Sequence, residues 1–145
     1  KNVYKKYHLK VRKHSMKFYI GSSMKNFKAV DYYTKVLKEN NWEHTYNWVE
    51  NIDKDEKFDD LANYAKYEKD AIEKSDVVII LLPAGRGTHV ELGLALAYGK
   101  KVFLCAEDKE EFSIENTVAF YELESVEKLV GTPEENLKKI LELKK

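Results

Sequence analysis

Asp76-Val-Val-Ile-Ile-Leu-Leu-Pro-Ala-Gly-Arg-Gly-Thr-His-Val-Glu-Leu-Gly-Leu-Ala-Leu-Ala-Tyr-Gly99 decides the fold. An unbroken apolar run from Val77 to Leu82 reads as a strand covered on both faces, the hallmark of a parallel sheet. It empties into a glycine-containing loop, and a helix follows. Working outward, apolar runs alternate with segments of helical period, as βαβ units require. Strands are expected at about 17–20, 43–46, 76–82, 101–106 and 118–122, and helices near 24–40, 59–74, 88–98, 125–130 and 133–143. The last helix has a clear start, because Thr132-Pro-Glu-Glu135 combines an N-cap threonine, a proline at the first helical position and a capping-box glutamate. The expected fold class is α/β: a single domain with an open, mostly parallel five-stranded sheet flanked by helices, of Rossmann or flavodoxin-like type.

A chain of 145 residues supplies one core, so site and scaffold must share one fold. The lone cysteine, Cys105, lies in an apolar run, which excludes an intramolecular disulfide and a cysteine-based metal cluster. No spacing of ligands suggests a metal, and no cofactor is expected. The apolar runs are too short for a membrane span and the chain opens on no signal-peptide pattern, so a cytoplasmic protein without a membrane partner is expected. The formal charge is zero, but residues 1–15 hold six lysines and arginines and no acid. Met16 looks like a natural start; residues 1–15 are therefore read as a tag or disordered N-terminal extension, with the domain at 16–145. The remainder is net acidic, which argues against a nucleic-acid partner.

In such sheets ligands bind beyond the carboxyl ends of the strands, near the point where strand order reverses. That rule selects Gly21-Ser22-Ser23, the loop at 47–58 and Pro83 to Gly87. Glu91 has two readings. With Thr88 three residues earlier it forms a capping box; alternatively, in the first helical turn, its ionised carboxylate is favoured by the macrodipole and suits attack on the anomeric carbon of a sugar. Gly85 and Gly87 permit close backbone approach. Ser22 and Ser23 either cap a helix or hold a phosphate or sugar hydroxyl. Trp48 either stacks on a nucleobase or packs in a lid with Trp42 and Tyr46. A lone histidine such as His89 is more often solvated than catalytic.

Phe18-Tyr-Ile-Gly-Ser22, the helix leading into Ser75-Asp-Val-Val78, and Thr88-His-Val-Glu-Leu-Gly-Leu-Ala-Leu-Ala-Tyr-Gly-Lys-Lys-Val102 together resemble the nucleoside 2-deoxyribosyltransferase family, which includes deoxynucleoside 5′-monophosphate N-glycosidases. The resemblance covers 16–106 well and the C-terminal third weakly. It implies that Glu91 is the nucleophile, that Tyr19 holds its carboxylate, and that an acid on the second helix grips a hydroxyl or donates a proton. Counting back from Asp76 assigns that acid to Glu68, where the family has aspartate. Helical register agrees, because Glu68 falls on the stripe of Leu61, Tyr64, Ala65, Ala71 and Ile72 while Asp70 does not. Six residues before Glu91 the family commonly carries an acidic or hydroxyl residue; here it is Gly85, which leaves Arg86 as the candidate for reading a phosphate. Thr88 completes the loop's substrate-facing set. The resemblance further implies a homodimer or larger assembly in which Asn116 reaches a neighbour's site.

The expected function is N-glycosyl transfer or hydrolysis on a 2-deoxyribonucleoside or its 5′-monophosphate through a glycosyl-glutamate intermediate. The alternative, from a different class, is a non-catalytic nucleotide-binding or signalling module with the same fold.

Overall fold

A computed structural model describes residues 15–51 and 58–144. The basic stretch at 1–14 and the 52–57 part of the second loop lie outside the described residues. Five strands form one sheet: β1 (Lys17–Ser22), β2 (Glu43–His44), β3 (Val77–Leu81), β4 (Lys101–Ala106) and β5 (Val126–Val130). All neighbours are parallel, in the order β2-β1-β3-β4-β5. The helices are α1 (Phe27–Glu39), α2 (Phe58–Lys74), α3 (Arg86–Ala97) and α4 (Pro133–Leu141). The expected α/β architecture is therefore the observed one, in a single domain. The strand order reverses at β1 and β3, whose register pairs Gly21 with Ile80 and Ser22 with Leu81, so their carboxyl ends stand level.

Strand alternation sorts the core into two layers. Phe18, Ile20, Val77, Ile79, Leu81, Phe103 and Cys105 pack with α1 and α4 on one face. Tyr19, Val78, Ile80, Val102 and Leu104 pack with Ala71 and Ile72 of α2 and with Leu92 and Ala95 of α3 on the other. Tyr19 is a polar-tipped residue with no exposed surface in that second layer. Burial of this kind demands a partner for its hydroxyl.

Two expectations about the C-terminal third are corrected. Residues 118–122 are not a strand: Ala119–Glu122 is a 3-10 turn closed by the Tyr121 amide on the Val118 carbonyl at 2.8 Å, with Tyr121 buried. Residues 125–130 are not a helix but contain the edge strand β5, which pairs Val126 with Val102 and Val130 with Ala106. Its buried residues, Val126 and Leu129, stand three apart, so its pattern imitates a helical face. The 3-10 turn likewise presents one inward residue where an alternating strand would present several.

The start of α3 also differs. The helix begins at Arg86 with Gly85 as N-cap, two residues earlier than expected. Thr88 is thus inside the helix and buried, and Glu91 lies in the second turn. The capping box at Thr132 forms as its spacing requires: the hydroxyl accepts from the Glu135 amide, and the Glu135 carboxylate accepts from the Thr132 amide, each at 3.2 Å.

Candidate active site

The Tyr19 hydroxyl donates to Oε2 of Glu91, across the space between β1 and α3. This contact distinguishes the two readings of Glu91. No side chain caps α3, Thr88 is not at its N-cap, and the Glu91 carboxyl is engaged by the tyrosine of the neighbouring strand. Gly21, two residues after Tyr19, makes the arrangement possible: a Cβ there would stand 3.1 Å from Ile80 Cδ1, 3.2 Å from Thr88 Cγ2 and 3.5 Å from Glu91 Oε1. Any side chain would press on Ile80 and Thr88 and come into contact with Glu91. That close approach also gives buried Thr88 a place in the wall of the site.

The electrostatics contradict the expectation of an ionised Glu91. Burial raises its carboxyl to about 8; the Tyr19 hydrogen bond opposes the rise and the charge of Glu68 adds to it. The helix dipole acts strongly only within the first turn, and Glu91 lies beyond it, so desolvation wins. Tyr19 is itself raised well above the ordinary tyrosine value, first by burial and then by Glu91 and Glu68. It therefore stays a phenol and remains a donor.

Glu68 of α2 is half-buried, and burial raises its carboxyl above the ordinary glutamate value. Its charge acts on Glu91, Tyr19 and Tyr46, which places it among them. Asp70 is exposed and pairs with Lys74 at 3.2 Å. The inward stripe of α2 is shorter than expected, however: Ala71 and Ile72 are buried, Tyr64 is partly covered, and Leu61 and Ala65 are exposed.

The remaining candidates are less concentrated. The Ser22 hydroxyl is committed to the protein, donating to the Leu81 carbonyl at 2.8 Å and accepting from Asn26 Nδ2 at 3.1 Å. It ties the end of β1 to that of β3. Ser23 is half-exposed and makes no cap with its side chain. Trp48 is not a free plate beyond β2: its indole donates to the Ile20 carbonyl at 2.7 Å and its ring touches both core layers. Gly85, Arg86 and Gly87 are exposed at the start of α3, and a Cβ at either glycine would meet nothing within 4 Å. Asn116 is bonded within its own loop, Nδ2 to the Glu110 carbonyl at 2.8 Å, and lies in the connection between β4 and β5.

Two contacts escaped the sequence reading. Tyr46 is the member of the aromatic group whose hydroxyl senses Glu68, and its ring lies 5.9 Å from that of Tyr67. Tyr121 bonds to His89 from a turn that was expected to be a strand. Neither contact has a local signal, since both join elements distant in sequence. Among the described residues no group of three histidine, cysteine or acidic side chains could hold a metal. No described helix is long and apolar enough to cross a membrane.

The chain resembles two solved structures of the same fold. A CMP N-glycosidase, BcmB, from Clostridium botulinum superposes with a TM-score of 0.63 at 24% identity, covering 88% of this chain and 99% of that one. A conserved protein from Enterococcus faecalis V583 superposes with a TM-score of 0.65 at 18% identity, covering 89% of this chain and 99% of that one. No curated protein matches. The family model for nucleoside 2-deoxyribosyltransferase matches residues 18–141, a span that takes in Tyr19, Glu68, Glu91 and the whole sheet apart from Lys17, and on that match the chain belongs to the nucleoside 2-deoxyribosyltransferase family.

Proposed function

We propose that this glycosyl-transferring enzyme cleaves the N-glycosidic bond of a 2-deoxyribonucleoside or, preferentially, its 5′-monophosphate. The observation that carries the reading is the Tyr19 hydroxyl on the Glu91 carboxyl at the level carboxyl ends of β1 and β3. Glu91, once ionised, attacks the anomeric carbon, and a carbon–oxygen bond forms to one carboxylate oxygen. The carbon–nitrogen bond breaks with its electron pair leaving on the base, which takes the proton of Glu68. Water or a second nucleobase then displaces Glu91 from the anomeric carbon and returns a proton to Glu68. Two displacements at one carbon retain its configuration. Tyr19 fixes the attacking oxygen and is the donor that stabilises Glu91 when it becomes an anion again.

Support for the nucleotide comes from the cations near the loops. Arg86 opens α3 and Lys25 lies in the turn after β1, both exposed and able to meet a dianion together with Ser23. The family resemblance further implies a homodimer, in which the neighbour's Asn116 completes the site. The outer side of α3 offers an apolar surface for that second copy: Val90, Phe120 and Leu123 are 65%, 61% and 46% exposed and line one groove with Leu96 and Ala97.

The test is incubation with deoxynucleosides, deoxynucleotides and ribonucleotides, CMP included, with chromatography for free base. Glu91→Ala should abolish base release while the far-ultraviolet circular dichroism stays unchanged. Near-normal turnover by Glu91→Gln would remove Glu91 from the nucleophile's role. Stoichiometric nucleotide binding with no base released from any substrate would instead favour a binding or signalling module.

A further inference from the structure

His89 lies two residues before Glu91, and residues two apart on a helix do not share a face. Its ring is held at both nitrogens. Nδ1 is 2.7 Å from the carbonyl oxygen of Gly85, and Nε2 is 2.7 Å from the hydroxyl of Tyr121. The two rings lie nearly parallel, at 16° with centroids 5.9 Å apart. A carbonyl oxygen only accepts, so Nδ1 carries the hydrogen; in the neutral ring Nε2 is then the acceptor, and the Tyr121 hydroxyl donates to it. Tyr121 is a firm anchor, 3% exposed and packed edge-on against Phe112 at 6.2 Å.

The other end of this chain of bonds has no comparable support. Gly85 and Gly87 flank Arg86, and neither glycine has packing around the place where a Cβ would be. Two glycines in three residues leave the backbone wide conformational freedom. The Gly85 carbonyl receives both the His89 amide, at 3.2 Å, and the His89 side chain. Fixing that carbonyl fixes the plane of the Gly85–Arg86 peptide, and with it the Arg86 amide on the opposite edge. The amides opening a helix have no acceptor within it, so their direction matters to whatever oxygen they meet.

We propose that His89 and Tyr121 are a positioning pair that locks the Gly85–Arg86 peptide and thereby holds the start of α3 in the conformation that receives substrate. The inference rests on the reading of Gly85 to Gly87 as substrate-binding, and it adds His89 and Tyr121 to the residues that set substrate affinity. Neither touches the reacting atoms.

Two substitutions separate the two bonds. Asparagine carries its amide nitrogen where histidine has Nδ1, so His89→Asn keeps the bond to Gly85 and loses Tyr121. Glutamine reaches the Nε2 position, so His89→Gln keeps Tyr121 and loses Gly85. The lock needs both bonds, so His89→Gln and His89→Asn should each raise KM about tenfold, the worth of one hydrogen bond, with kcat within about twofold. A wild-type KM in either variant, or a fall in kcat at unchanged KM, would overturn the proposal. Two measurements stand without any turnover and so separate this inference from the proposed reaction. Nitrogen-15 NMR of the neutral wild-type ring should report the Nδ1–H tautomer, and the Nε2–H tautomer would refute it. Exchange of the residue-89 backbone amide, which donates to the Gly85 carbonyl, should accelerate about tenfold in both variants after correction for the intrinsic rate, and wild-type protection in either would equally refute it.

Discussion

Glu91→Gln isolates the cost of burying the charge of this residue. Glutamine keeps the shape and still accepts the Tyr19 hydroxyl, but it cannot ionise. In the folded protein Glu91 titrates at about 8 against an ordinary value of 4.5, chiefly because it is buried. A folded-state value above the unfolded one means that, between these two pH values, the folded chain holds a proton that the unfolded chain has released. Stability must therefore fall as pH rises through that window, and level off above about 8. At about 1.4 kcal/mol for each tenfold change in proton affinity, the penalty is absent at about pH 4.5, about 3 kcal/mol at pH 7 and about 5 kcal/mol above pH 8.

The glutamine variant should escape this penalty. Urea unfolding followed by circular dichroism should give similar midpoints for both proteins at about pH 4.5. At pH 7 the variant's midpoint should be higher by roughly 1 to 2 M, taking about 2 kcal/mol per molar urea for a small domain. The assay needs no substrate and no assumption about catalysis. Glu68 is also raised by burial and contributes a slope of the same sign in both proteins, changed in the variant only by the loss of its coupling to Glu91, which ranks behind burial among the causes that raise Glu91. A difference between the two proteins that is constant from pH 4.5 to 8.5 would refute the claim that Glu91 is buried against its charge.

Three further outcomes follow from the proposed reaction. Deoxynucleoside monophosphates should exceed their nucleosides in kcat/KM by at least roughly tenfold, and Arg86→Ala should shrink that ratio while sparing the nucleosides; steady-state measurements on matched pairs check both. Light scattering should find a dimer or larger assembly, and Phe120→Glu, which puts a charge into the exposed apolar groove beside α3, should dissociate it and lower activity. Glu68→Gln should lower turnover of ordinary substrates by roughly two to four decades, the usual worth of a general acid, yet spare substrates whose base leaves without a proton. With those substrates its activity should begin to rise at lower pH than in the wild type, because Glu68 no longer raises Glu91.

What could be read from the sequence was set by how local each signal is. The run Val77 to Leu82 was legible as a central strand because a strand covered on both faces keeps consecutive apolar residues, and six residues stopped by Pro83 are too few for a buried helix. That Glu68 is covered and Asp70 exposed was legible because a helix repeats every 3.6 residues and the buried positions Ala71 and Ile72 fix the phase. The edge of the sheet was not. In β5 only Val126 and Leu129 need cover, and two apolar residues three apart satisfy a helix equally well. The start of α3 was misjudged because Thr88-His-Val-Glu91 fits a capping box, whereas Gly85 opens the helix without any side-chain cap. The protonation of Glu91 was illegible for a related reason: spacing placed the carboxyl in the first turn, and only the packing of β1 against α3 shows how little water reaches it.

That misjudged carboxylate gives the site its logic. A nucleophile exposed to water would be ionised at rest but would gain nothing from the sugar's developing positive charge that solvent does not already supply. On the proposed reaction the Glu91 anion, buried beside Tyr19, is costly in the empty enzyme and becomes favourable only when a cationic centre forms next to it, which is the condition for stabilising a transition state more than a ground state. Glu68 sharpens the condition. Its own charge opposes ionisation of Glu91, so a proton resting on Glu68 favours the anion on Glu91. On the proposed reaction that single proton is the one the leaving base needs. Departure of the base with the proton leaves Glu68 charged just as Glu91 loses its charge to the glycosyl bond, so the repulsion between the two carboxylates never has to be met. An aspartate in place of Glu68 would shorten its reach by one methylene. Glu68→Asp therefore tests whether the longer side chain matters, since a proton donor is sensitive to position where a mere counter-charge is not. A fall in kcat with an unmoved pH profile would identify Glu68 as the donor, and a moved profile at constant kcat would reduce it to an electrostatic neighbour.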